Sequence, residues 1–317
     1  MTAAAPSVAV LCGGVGAARL LAGLVRVVAP AQVTAIVNTG DDLVLHGLAI
    51  SPDIDTVIYT VAGAIDPERG WGLRDETWRV MEALDRYHGA TWFSLGDRDL
   101  GTHLYRTQRL AEGAGLAEVT AEIAAAWGLG LRVVPVTEQP LRTMITLADD
   151  SGTGTEIAFQ DYFVRRRHAV AVAGVRFDGA DEARPAPGVL DAIASAGMVI
   201  VAPSNPIVSI GPVLAVPGVR EAVRARRDHV VAVSPLVGGR ALKGPADRLL
   251  RELGHQDSVV SIARLYAPIA GTLVIDTADA ALADAVQAAG LRCVVTDTIM
   301  RDPAAASALC EVLLGRS

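Results

Sequence analysis

Aromatic side chains are scarce, at 4% of the chain. A core with so few rings must be built from Val, Leu, Ile and Ala, and 51% hydrophobic against 20% charged residues leaves ample material for a well-packed globule. Cysteine is scarcer still. Cys12, Cys293 and Cys310 are odd in number and sit in apolar stretches, which argues against a disulfide framework and for a reducing compartment. No apolar run reaches the roughly 18 residues that span a bilayer. Met1 to Pro6 lacks the basic start and apolar stretch of a signal peptide. The expectation is a cytoplasmic protein with no membrane association. Positive charge is in deficit, with a formal net charge of −7, so nothing draws the whole chain to nucleic acid. Also missing are a Gly-x-Ser-x-Gly elbow, a His-Glu-x-x-His helix and any Cys/His set at zinc spacing. Covalent nucleophilic catalysis and zinc hydrolysis therefore have no support.

What is present alternates. Apolar, β-branched runs at 8–12, 33–37, 91–95, 131–136, 198–202, 230–233, 272–275 and 292–296 read as strands. Amphipathic patterns at 75–87, 117–127, 241–253 and 278–288 read as helices between them. In 317 residues this predicts an α/β fold, a Rossmann-like doubly wound, mostly parallel sheet with ligands gathered at the carboxyl ends of its strands. The stretch 142–176 has period 2 instead and reads as an inserted antiparallel unit, a hairpin around Asp149-Asp150-Ser151-Gly152. The basic cluster Arg165-Arg166-Arg167-His168 after it is taken as a solvated strand end. The expected division is 1–140 and 185–317 for the two parts of the core, with 141–184 as the insert.

Chemistry collects at the predicted strand ends. "LCGGVGAARL" joins a strand to a helix through Gly13, Gly14 and Gly16, so free N–H groups and the helix dipole point at the turn. The dinucleotide fingerprint wants a third Gly where Arg19 stands, and an acidic residue closing the second strand. That strand ends instead in Asn38-Thr39-Gly40-Asp41-Asp42. The turn suits phosphate rather than NAD. Asp41, Asp42, Asp53 and Asp55 beside it suggest a hydrated magnesium site, although Asp53 or Asp55 capping a helix at 56–61 and Asp41-Asp42 forming a turn is the plain structural alternative. "WFSLGDRDLGTHL" puts Asp97, Asp99 and His103 at another strand end, where the two carboxylates could equally cap the following helix. His103 has no second His at ligand spacing, which argues against a metal role. Ser204-Asn205-Pro206 reads as a helix start or a second anion site. In "SPLVGGRALKGPADRLL", Arg240 as a fork and Lys243 as a point charge suit a diphosphate.

Together "GGVGAARLLAGL", "VNTGDDLVLHGLAISPDIDTVIY", "FSLGDRDLGTHLYRTQRL", "APSNPIVSIGPVL" and "SPLVGGRALKGPADRLL" run from residue 13 to about residue 250. In that order they closely resemble the 2-phospho-L-lactate transferases of deazaflavin coenzyme F-420 biosynthesis, the CofD/FbiA type. The resemblance implies an enzyme that moves a 2-phospholactyl or enolpyruvyl-phosphate group from a guanosine diphosphate-linked donor to the terminal ribityl hydroxyl of the deazaflavin Fo. GMP is released, Mg2+ is required, and the enzyme is a homodimer. It implies that Gly13, Gly14, Gly16, Arg19, Ser204, Asn205, Arg240 and Lys243 hold the nucleotide, and that Asp42 and Asp55 bind metal or position the hydroxyl. Asn38, Asp41, Asp97 and Asp99 would then face Fo, with Trp71, Trp92 or Leu100 under its ring. The Ala-, Val- and Arg-rich composition fits a high-GC bacterium, where the family tends toward the phosphoenolpyruvate-derived donor. A related group of CofD-like nucleotide-sugar-binding regulators shares the Gly turn and the Asn-Thr-Gly-Asp-Asp stretch. The later motifs here favour the transferase branch.

Overall fold

The computed structural model describes residues 7–148 and 154–316. The chain opens with β1 (Val8–Cys12), helix α1 (Val15–Val27), β2 (Val33–Val37), and a small hairpin of β3 (Leu43–Leu45) and β4 (Leu48–Ile50). Helices α2 (Pro52–Val61), α3 (Arg79–Arg86), α4 (Asp99–Ala111) and α5 (Leu116–Ala126) lead to β5 (Arg132–Pro135). Next come β6 (Arg142–Leu147), β7 (Glu156–Ala158) and β8 (Val172–Asp178), then β9 (Met198–Val201) and β10 (Val230–Val233). A second hairpin, β11 (Leu236–Val237) with β12 (Arg240–Ala241), precedes β13 (Thr272–Asp276) and β14 (Arg292–Thr296).

Seven of these strands form one sheet in the order β14-β13-β10-β9-β1-β2-β5, and every neighbouring pair is parallel. Counted along the chain this is 7-6-5-4-1-2-3, the Rossmann-like doubly wound order, which reverses between β1 and β9. Strand β1 is buried on both faces, which is why it reads as an unbroken apolar run. Ala9 and Leu11 belong to one core, while Val8, Val10 and Cys12 belong to the other. On the second face α1 packs against the C-terminal helix Pro303–Leu313. Gly23 permits this approach, since a Cβ there would stand 2.5 Å from the Ala306 backbone.

The stretch 91–95 was expected to be a strand and is not one. Leu95 is buried with Ile50 and Met81 in a small separate core that caps the carboxyl ends of the sheet, and Phe93 faces the cleft described below. Its aromatic and apolar residues serve that cap rather than a ladder. The helix expected at 56–61 begins one turn earlier, with Ser51 as N-cap and Pro52 at its first position, so Asp53 and Asp55 lie inside the first turn. The helix expected from 241 begins at Ala246, because Gly238 and Gly239, both at positive φ, fold the preceding residues into the β11–β12 hairpin.

The insert is a three-stranded antiparallel sheet in the order β7-β6-β8. The expected hairpin tip, Asp149 to Gly152, lies outside the described residues. Arg165 and Arg166 are exposed and pair with Asp161, solvated as expected, but they end a short helix, Asp161–Arg165, rather than a strand. Among the described residues no helix is long and apolar enough to cross a membrane.

Candidate active site

The loops leaving β1 and β9 meet where the strand order reverses. Gly13 N–H donates to Ser204 Oγ at 3.2 Å, joining the two sides. The glycines are there for close approach. A Cβ on Gly13 would come 2.5 Å from Ser209 Cβ, one on Gly16 would run into the Pro203 carbonyl, and one on Gly14 would come 2.5 Å from Asp53 Oδ1. The turn thus presses a carboxylate from the start of α2 against the start of α1.

Asn38 orients that carboxylate. Fully buried at the end of β2, it accepts from Gly40 N–H at 2.7 Å and donates to Asp53 Oδ2 at 2.9 Å. Burial pushes the Asp53 carboxyl up to about 6, against the pull of the Asn38 hydrogen bond. Asp41 is raised well above the ordinary carboxylate range by burial, then by repulsion from Asp53 and Asp42. Asp42 is raised too, chiefly by burial, although Ser51 Oγ donates to its Oδ2 at 2.8 Å. Asp41 Oδ1 and Asp42 Oδ1 are buried with no hydrogen-bond partner. Acceptors crowded and unsatisfied in this way favour taking up a proton or a cation.

Asp55, two residues along α2, is neutralised. Arg106 of α4, 0% exposed, grips both its oxygens, one contact being Nη1 to Oδ2 at 3.1 Å and the other Nη2 to Oδ1. Asp99 opens α4 and accepts from Tyr59 Oη at 2.7 Å. Burial alone would raise its carboxyl; His103 and the Tyr59 hydroxyl outweigh burial and hold it below the ordinary range. Two other carboxylates lock this corner together. Asp97 accepts from Thr77 Oγ1 at 2.5 Å and from the first N–H groups of α3, while Glu76 accepts from Arg98 N–H and Asp99 N–H at the start of α4. Each helix is capped by an acid from the segment preceding the other.

The same cleft also holds cationic side chains. Arg19 on the first turns of α1 and Lys243 after β12 lie close enough that burial, and then the Arg19 charge, pulls the Lys243 ammonium down. Among the described residues no carboxylate is paired with either. Trp71, Phe93, Phe159 and Phe163 add an aromatic wall, the last two from the insert. The whole encloses a cleft of about 570 Å³, enough for a nucleotide-sized ligand.

The sequence model of the family described as 2-phospho-L-lactate transferase CofD matches residues 8–313. A phosphoenolpyruvate transferase of Kitasatospora aureofaciens is 44% identical over 308 residues, covering 96% of this chain and 95% of its own. One of Streptomyces griseus is 43% identical over 311 residues, covering 97% of each. The chain belongs to the CofD family. It is an enzyme, a transferase of coenzyme F-420 biosynthesis, and the regulator alternative falls away. A crystal structure of a UPF0052-family protein from Bacillus halodurans shares the fold, with a TM-score of 0.61 at 18% identity over 97% of this chain and 98% of that one.

Of the residues singled out for the nucleotide in this CofD-family chain, Gly14, Gly16, Arg19, Ser204, Asn205 and Lys243 line the cleft, with Gly13 just behind them. Arg240 does not: it is exposed on the second hairpin. Asp41, Asp55, Asp99 and Trp71 also line the cleft. Asn38 lies beneath it, and Asp42 faces a neighbouring hollow of about 320 Å³. Asp97 caps α3 rather than the helix after it, and Trp92 and Leu100 are not among the lining residues. Sequence reasoning passed over Arg106 and found no partner for His103. Their helical spacing from Asp99, with Tyr59 four residues after Asp55, was the available signal.

Proposed function

We propose that this enzyme transfers a 2-phospholactyl or enolpyruvyl-phosphate group from a guanosine diphosphate-linked donor to the terminal ribityl hydroxyl of Fo, releasing GMP. The enolpyruvyl donor is the preferred one, in keeping with relatives named phosphoenolpyruvate transferase. One observation carries this reading: one cleft at the sheet's reversal point brings together a group of carboxylates and Arg19 and Lys243, with which no carboxylate pairs among the described residues. The N–H groups of the glycine turn, Arg19 and Lys243 hold the donor's diphosphate, and Ser204 and Asn205 complete that side. The acidic side takes the polyol of Fo, whose flat ring lies on Trp71, Phe93, Phe159 or Phe163. Attack by the hydroxyl oxygen on the distal phosphorus breaks its bond to the GMP oxygen, a step that needs alignment and charge neutralisation more than a covalent partner.

Among the described residues no three His, Cys, Asp or Glu side chains converge as a metal cage. Magnesium commonly takes one or two carboxylates and completes its shell with phosphate and water. Asp41, whose Oδ1 has no hydrogen-bond partner, and Asp53, which repels it, fit such an ion. Asp41 and Asp53 hold it in this reading, in place of the expected Asp42 and Asp55, because Arg106 already occupies Asp55 and Asp42 faces away from the cleft. When bound, magnesium would offset the charge of the transferring phosphate. A homodimer in the cytoplasm remains part of the proposal.

Lys243→Ala and Arg19→Ala are expected to raise the apparent KM for the donor by about 10-fold or more with the Fo KM little changed, each removing a charge-assisted phosphate contact. Steady-state kinetics checks this, and an effect confined to Fo would mean that the two sides are reversed. Magnesium competes with the proton that Asp53 binds up to about pH 6. Folded Asp53 takes up that proton at a higher pH than an unfolded carboxyl, so metal-free protein gains stability from this group as pH falls toward the unfolded value of 3.8, and magnesium affinity falls over the same window. Calorimetric titration with magnesium should weaken steeply below about pH 6. Affinity that stays flat down to about pH 5 contradicts the assignment.

A further inference from the structure

Helix α4 sets Asp99, His103 and Arg106 on one buried face, and His103, 1% exposed, lines the cleft. His103 Nδ1 lies 3.4 Å from Arg106 Nη1 and 3.7 Å from Asp55 Oδ2. Arg106 Nη1 also faces the Ala49 carbonyl at 3.4 Å and Asp55 Oδ2 at 3.1 Å; a guanidinium only donates, so His103 Nδ1 can accept from it, which leaves Nε2 to carry a ring proton. Nε2 has no hydrogen-bond partner, and Asp99 Oδ2 stands 3.4 Å away. The other oxygen of Asp99 takes the Tyr59 hydroxyl.

We propose that His103 is a positioning residue for the transfer, its Nε2–H holding the Asp99 carboxylate where it receives the proton of the acceptor hydroxyl. This rests on the assignment of Fo to the acidic side. Asp55 pins Arg106, Arg106 stands against His103 Nδ1, and His103 aims Asp99. The present separation is about 0.5 Å longer than a good hydrogen bond, and such contacts commonly tighten when substrate is bound. Two contacts on Asp99 leave it acceptor capacity for a hydroxyl. As the hydroxyl oxygen bonds to phosphorus and the bond to GMP breaks, the hydroxyl proton passes to Asp99.

Steady-state kinetics of the full chain with magnesium, Fo and donor tests this. His103→Leu keeps bulk and removes the donor N–H; His103→Gln keeps an N–H within reach. His103→Leu is expected to lower kcat about 10- to 100-fold with the donor KM within about twofold, and His103→Gln to recover most of that loss. In an Asp99→Asn background His103→Leu should change kcat by less than about threefold, because the group it positions has been altered. Equal losses in both His103 variants that add to that of Asp99→Asn would reveal a merely structural role and overturn the proposal. So would an unchanged kcat in folded His103→Leu. If His103→Leu does not fold, His103→Asn, whose shorter amide cannot reach Asp99, takes its place. Absence of wild-type turnover sinks the functional reading itself, an outcome distinct from the others.

Discussion

Replacing Arg106 with methionine is expected to cost the fold about 3–5 kcal/mol and to lower the melting temperature by roughly 4–8 °C. The guanidinium is 0% exposed and holds both oxygens of Asp55, itself 4% exposed. Methionine fills part of the space but leaves a buried carboxylate whose remaining partner, among the described residues, is His103 at 3.7 Å. That isolated charge, rather than the lost attraction, sets the size of the effect. The double variant Arg106→Met/Asp55→Leu should therefore recover much of the stability while remaining inactive. Thermal unfolding followed by circular dichroism measures both. A melting temperature within about 2 °C of wild type for Arg106→Met would mean that Asp55 is not buried as described.

Asp53→Asn is expected to do the reverse, with turnover down at least about 100-fold and the fold intact, because several kcal/mol of transition-state charge stabilisation depends on what that carboxylate holds. The amide can keep a hydrogen bond to Asn38 and relieves the repulsion with Asp41. Its melting temperature should equal or exceed that of wild type at about pH 7.5, where a buried Asp53 carboxylate is costly. Asp55→Asn serves as the contrast: it leaves Arg106 without its counter-charge and should lose stability first. Two neighbouring acids on one helix turn are thus separated by experiment. Full turnover in Asp53→Asn, or an unmoved melting temperature in Asp55→Asn, contradicts this division of roles.

The sheet was legible because a strand buried on both faces must be apolar throughout, and seven of the eight expected runs are strands of the sheet. The eighth, 91–95, carries the same residue types, yet Leu95 and Phe93 find their partners in a cap that only tertiary structure creates. The glycine turn was legible for a similar reason, since close approach at a reversal point admits nothing larger. Which acid does what was not. Asp53 and Asp55 stand two residues apart, and their fates diverge because one meets Asn38 and the other meets Arg106, 51 residues away. Likewise Asp97 and Asp99 look equivalent in sequence, but Asp97 caps α3 and Asp99 faces the cleft. Arg240 was grouped with Lys243 by spacing, but Arg240 is exposed on β12 while Lys243, three residues on, lines the cleft.

Mass spectrometry of the product tests the central claim most directly. Purified protein is incubated with Fo, magnesium and, in separate reactions, the lactyl and the enolpyruvyl guanosine diphosphate donors. The predicted result is Fo joined through a phosphodiester to the donor's acid, formed faster with the enolpyruvyl donor, with one GMP released per product and none in excess chelator. Fo recovered unchanged with both donors while the protein binds GDP, or product formed at full rate without divalent metal, would contradict it.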